Sequence, residues 1–207
     1  MKLADFASMA GNIYLGRNLP ISLIHFVTNR CNARCAHCFI DFDHPEAYKN
    51  QLTLEEIEKL TLSLGSCLKN VNLTGGEPFA HKNLVDIAGL YFRNTDIESI
   101  FITTNGSLPK RIFSFANEIQ DKFPDRKVIF SLSLDNFHKE HDRDRKIRDL
   151  YKNVLECYHG IRALTGNFSV DISITVSSTN YTIVEEFYKH LIEEEGVRAI
   201  TAALVRD

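Results

Sequence analysis

Three of the five cysteines in this 207-residue chain stand together, in the run Cys31-Asn-Ala-Arg-Cys35-Ala-His-Cys38. The spacing C-x3-C-x2-C sets three thiols on one short loop, able to wrap a metal ion or one corner of an iron–sulfur cluster. A cubane cluster has four irons, so three thiolates leave one iron open, and an open position signals chemistry rather than structure. His37 adds a fourth donor type, so the same residues also allow a Cys3His zinc site.

A second stretch with chemical potential is Gly75-Gly76-Glu77-Pro78. Two residues without Cβ atoms let a ligand approach the backbone closely, and Glu77 offers an acceptor for an ammonium group. Thr104-Asn105-Gly106 is a third, and the polar run from Ser133 through Asp135, His138, His141 and Arg145 is a fourth. For the last, a solvated helix start of mixed charge is the alternative reading of Arg143, Arg145 and Arg148. His138 and His141 read as a solvated pair, and Cys67 and Cys157 as inert core residues.

The hydrophobic fraction is 44% and the charged fraction 25%, as expected of one ordinary globular domain with a sizeable core. A net charge of -3 argues against nonspecific nucleic-acid binding. No apolar run reaches the length of a membrane span, and the first residues do not read as a signal peptide. Clustered free cysteines in odd number point to a reducing, cytoplasmic setting. The domain division expected is an N-terminal extension over residues 1–20, with a short helix within 1–16, and a core domain over 21–207.

Apolar, β-branched runs predict strands over residues 21–28, 70–74, 97–103, 127–134, 168–176 and 199–205, the first of them buried. Helical patterns fall between them. Thr53-Leu-Glu-Glu56 is a capping box opening a helix to about residue 64, and Thr182-Ile-Val-Glu185 reads as a second one. Further helices are expected over 83–92, from Pro109 to before Pro124, and over 147–164. Six strand–helix alternations predict a parallel α/β sheet with right-handed crossovers. Six units suit this length and eight do not, so the expected architecture is a (βα)6 partial TIM barrel, open on one side. A doubly wound open sheet is the structural alternative. All four polar stretches follow strands, at the C-terminal sheet edge where α/β folds carry their sites.

The cysteine loop combined with Gly75-Gly76-Glu77-Pro78 resembles the radical S-adenosylmethionine (radical SAM) superfamily, from about residue 21 to 205. The run from Ser133 to Arg145 is similar to the stretch Ser-Leu-Asp-Gly…His-Asp-x-x-Arg of the branch with molybdenum-cofactor synthesis enzymes and peptide maturases; Asn136 stands where that branch usually has Gly. The resemblance implies that Cys31, Cys35 and Cys38 hold a [4Fe–4S] cluster whose open iron chelates S-adenosyl-L-methionine. It implies reductive cleavage to a 5′-deoxyadenosyl radical, which takes a hydrogen atom from a substrate. It further implies that His37 lies near the adenine, that Gly75, Gly76, Glu77 and Pro78 bind the methionine amino group, and that Ser133 and Asp135 face the ribose or substrate. Arg145 would pair with the methionine carboxylate, Thr104 and Asn105 would line the pocket, and Val176, with Ser177 and Asn180, would lie on the adenine side. Leu204 and Arg206 stand near the site by position alone. The implied partners are an electron donor such as flavodoxin or ferredoxin and an unknown substrate, either a peptide or a small molecule. A noncatalytic metal- or partner-binding module on the same fold is the alternative. The chain stops once its sixth strand is complete, which fits a compact member, a site closed by a partner, or a fragment of something longer.

Overall fold

The structure, a computed structural model, describes residues 20–49 and 51–205 together with residues 11 and 14. But for those isolated positions, the N-terminal extension and its expected helix lie outside the described residues, as does Arg206.

Six strands form one sheet: β1 Ser22–Thr28, β2 Asn70–Gly75, β3 Ser99–Thr104, β4 Lys127–Ser133, β5 Phe168–Val176 and β6 Ile200–Leu204. Every neighbouring pair is parallel, and the order across the sheet is the order along the chain. A doubly wound sheet reverses direction at a switch point. This one never does, which settles the fold as the open partial barrel.

Alternation along the strands sorts the two faces. Val71 and Leu73, Ile100 and Ile102, Val128, Phe130 and Leu132, and Val170, Ile172 and Ile174 are buried and join the core under the helices. Their alternates on the inner face are mostly polar and only partly covered. The expectation of a fully buried first strand is therefore corrected. Ile24 and Phe26 are 60% and 49% exposed, because the inner face of an open barrel is not filled as a closed one is.

The helices are α1 Leu54–Leu64, α2 Leu84–Asn94, α3 Pro109–Lys122, α4 His138–Arg145, α5 Leu150–Ala163 and α6 Val184–Glu193. The Thr53 capping box forms as expected: the Thr53 hydroxyl accepts from Glu56 N, and the Glu56 carboxylate accepts from Thr53 N. The second box does not. Helix α6 begins at Val184 without a side-chain cap. Thr182 falls in the preceding turn, where Asn180 holds the chain instead by accepting from Ser177 N. Residues 138–145, expected as part of a polar connection, form the two-turn helix α4. Its last turn is closed by Lys146 in a left-handed conformation (φ 56°).

Beneath the sheet, the Tyr91 hydroxyl of α2 and His25 Nδ1 share a buried hydrogen bond at 3.0 Å. Burial, aided by His81, depresses the pKa of His25 from 6.5 to about 4. The unfolded chain thus takes up this proton more readily than the folded one. We expect the unfolding free energy to fall as pH drops from 6.5 toward 4, and His25→Gln, whose amide can still hydrogen-bond Tyr91, to flatten that slope. Urea denaturation across this pH range reads both.

Candidate functional site

The cysteine loop leaves β1 at Thr28 and folds back over the C-terminal edge of the sheet. Its turns are local: Cys38 N donates to Cys35 O, and Ala33 N donates to the Cys31 thiol at 3.3 Å. Beside it lie the two glycines. Gly76 N donates to Thr28 O, and Glu77 N donates to Arg30 O. Gly75 has φ 123°, and a Cβ on Gly75 or Gly76 would collide with the Thr28 or Arg30 carbonyl. The loops after β1 and β2 therefore pack backbone against backbone, which only glycine permits.

Glu77 locks a third loop to these two. It is fully buried; its carboxylate accepts from the Thr104 hydroxyl at 2.7 Å, from Asn105 N at 2.8 Å and from Phe79 N at 3.0 Å. Burial raises its pKa, although those donors pull the other way. Glu77 is thus committed to the protein, and the expectation of a free acceptor for an ammonium group does not match this geometry. Asn105, held by Glu77, points its amide at the Cys31 thiol (3.8 Å) and at Asn32 Oδ1 (3.0 Å).

The fourth component is a buried ion pair. Arg145 donates from Nε and Nη2 to Asp135 Oδ2 at 2.9 and 2.7 Å, and Asp135 Oδ1 accepts from Thr175 N. Asp135 is consumed by these contacts and does not line the cavity, contrary to the ribose- or substrate-facing role expected of it. Burial works against the charge on Arg145, but the Asp135 carboxylate foremost, and Cys35 and Cys31 once ionised, push its pKa above the ordinary range. The Arg145 carbonyl also accepts from Arg34 N, tying α4 to the cysteine loop.

These parts enclose a cavity of about 420 Å³. Cys31, Cys35, His37, Cys38, Gly75, Gly76, Thr104, Asn105, Ser133 and Arg145 all line it, so the structure brings together most of the residues singled out in the sequence. A second cavity of about 470 Å³ adjoins it, sharing His37, Leu204 and Val205, and Val176 and Ser177 line that one. Asn180 is buried instead, donating to Asp135 O and Thr175 O. Pro78 starts a buried turn behind the cavity. Thr74, Thr103 and Thr175, which belong to none of the motifs, also line the first cavity. Strand alternation marks all three as inner-face residues near strand ends. The histidine pair also differs from expectation. His141 is fully buried, its Nδ1 accepting from Asp135 N, while His138 stacks on Tyr151.

All three clustered cysteines are free thiols, and burial pushes the pKa of Cys31 and Cys35 up, with Arg145 pulling Cys35 back. Among the described residues, no three Cys, His, Asp or Glu side chains are grouped to hold one metal ion. A Cys3His zinc site needs four donors converging on one point. A cluster offers each thiolate its own iron, and three thiols lining one cavity with Gly75 and Gly76 fit it.

The sequence matches the radical SAM superfamily over residues 26–191. The chain belongs to that superfamily. Radical SAM proteins bind a [4Fe–4S] cluster and S-adenosylmethionine. The chain is 30% identical over 166 residues to a GTP 3′,8-cyclase of Clostridium perfringens, covering 79% of this chain and 46% of that protein. It is 34% identical over 119 residues to the GTP 3′,8-cyclase of Heliobacterium modesticaldum, covering 56% and 35%. The chain thus spans less than half the length of these curated relatives. In fold it is similar to Streptococcus suis SuiB bound to S-adenosylmethionine (TM-score 0.69, 16% identity, 99% of this chain and 46% of that one). It is likewise similar to native anSMEcpe with bound AdoMet (TM-score 0.67, 20% identity, 91% and 52%).

Removing one partner of the Asp135–Arg145 pair strands a buried charge, at a cost of about 3–5 kcal/mol. Arg145→Met should therefore sharply lower the urea midpoint, and Asp135→Asn combined with it should recover part of the loss. An additive double variant would show that the pair contributes nothing as a unit.

Proposed function

We propose that this chain is the catalytic core of a radical SAM enzyme that binds a [4Fe–4S] cluster through Cys31, Cys35 and Cys38. The observation that carries the reading is the shared cavity: three free thiols, the Gly75-Gly76 backbone and the Arg145 side chain on one surface. When bound, the cluster and S-adenosylmethionine supply reductive cleavage to methionine and a 5′-deoxyadenosyl radical, which abstracts a hydrogen atom from a substrate.

The residues of the chain bind, orient and shield. Cys31 and Cys35 are held as thiols by burial, so metal must displace their protons on binding. Gly75 and Gly76 present bare backbone to a ligand's amino acid end. Arg145, fixed through Asp135, offers charge complementary to a carboxylate. His37 divides the two cavities and suits contact with a planar base from the second one. Ser133 and Thr104 provide hydroxyl groups along the cavity wall.

The substrate is proposed to be a peptide or a small molecule. Solved relatives of the same fold support the first, SuiB having been seen with its precursor peptide SuiA; the GTP 3′,8-cyclases support the second. An electron donor of flavodoxin or ferredoxin type completes the reaction. Free thiols in the site favour a reducing cytoplasm. Among the described residues, no helix is long and apolar enough to cross a membrane.

Anaerobic reconstitution should yield about four irons and four sulfides per chain, and replacement of Cys31, Cys35 and Cys38 by Ala should abolish this. Reduction in the presence of S-adenosylmethionine should then release 5′-deoxyadenosine, detected by chromatography. One zinc per chain with neither sulfide nor cleavage would sink the proposal.

A further inference from the structure

Asp171 is the one acidic residue in the six strands. It stands in the middle of β5 on the inner face, alternating with buried Val170 and Ile172. A carboxylate is disfavoured in a strand and costs free energy when half-buried without a partner. Here Oδ1 accepts from the Ser131 hydroxyl at 2.7 Å, and the Thr201 side chain lies near the carboxylate. A carboxylate has room for about four such bonds. Among the described residues no cation pairs with it. Burial accordingly raises its pKa, with the two hydroxyls opposing.

Its position connects it to the site. Asp171 is in register with Ser131, and Ser131 with Thr103, which lines the cysteine cavity. Two strand spacings, about 10 Å, separate Asp171 from Thr103. One layer below this row, Phe101 and Ile129 pair in register, both half-buried, and offer an apolar surface. A polar row thus runs from the cavity to an unpaired carboxylate, over an apolar floor.

The geometry points to Asp171 as the anchor for a cationic group on the substrate, an ammonium or guanidinium carried on an aliphatic stem that lies over Phe101 and Ile129. This rests on the radical SAM reading of the adjoining cavity and adds the chemical class of what enters it. The cation comes either from a free alkylamine or from a lysine-type side chain in a peptide.

The test is ligand-detected NMR on the anaerobically reconstituted chain, with n-butylammonium against 1-butanol, and acetyl-Gly-Lys-Gly-amide against its norleucine counterpart. The cationic member of at least one pair should bind tenfold or more tightly than its neutral partner, and Asp171→Asn should erase that preference. A preference confined to the peptide pair identifies a peptide side chain as the source, and one confined to butylammonium a small amine. Equal binding within both pairs, no binding by either, or an Asp171→Asn variant that keeps the preference overturns the proposal. The wild-type comparison stands even where the variant fails to fold. Selective amine binding by a chain that assembles no cluster would retire the radical SAM reading and leave the cation site. Cluster assembly and cleavage without amine selectivity would do the reverse.

Discussion

The Asp135–Arg145 pair is the constraint on which the arrangement of the site depends. Both side chains are almost completely buried. Neither is stable there alone, so each fixes the other. Through Asp135 the pair also holds Thr175 at the end of β5 and Asn180 beyond it, and through the Arg145 carbonyl it holds the cysteine loop. Chain segments more than a hundred residues apart in sequence are thereby set against one cavity. Glu77 does similar work on the other side, joining the loops after β2 and β3 by two bonds to one carboxylate.

Both carboxylates sit where the sequence motif directs attention, yet their tasks differ from those a motif suggests. A conspicuous acid beside two glycines invites assignment to a ligand. Full burial and three hydrogen bonds to its own protein commit Glu77 to shaping the loop that presents Asn105 and the glycine backbone. Asp135 likewise acts through Arg145, leaving the guanidinium as the group exposed to the cavity. The cavity is accordingly lined by thiols, bare backbone, hydroxyls and the Arg145 cation.

The fold was legible because period-two runs separated by capped helices survive in a single sequence. The six strands fall within two residues of expectation, and the Thr53 box is formed. The cysteines, the glycines, Thr104, Asn105, Ser133 and Arg145 were legible as neighbours because each follows a strand at the same edge. What the sequence withheld was pairing. Nothing local says that Arg145 turns to Asp135, that His141 lies buried under Asp135 N, or that Thr182 loses its cap to the Asn180 turn. Each is decided by contacts with distant segments. The same holds for β1, whose apolar letters suggest two buried faces until the sheet is known to remain open.

The strand order has a consequence for how the molecule comes into being. Each strand pairs with its neighbours in sequence, so the sheet can grow unit by unit as the chain leaves the ribosome, each step closing one helical crossover. The cavity does not follow that schedule. Its first wall emerges with the cysteine loop, but Arg145 and Thr175, which complete and secure it, emerge far later. The three thiols are therefore born long before their enclosure exists, and the cavity can first hold any guest once β5 has docked.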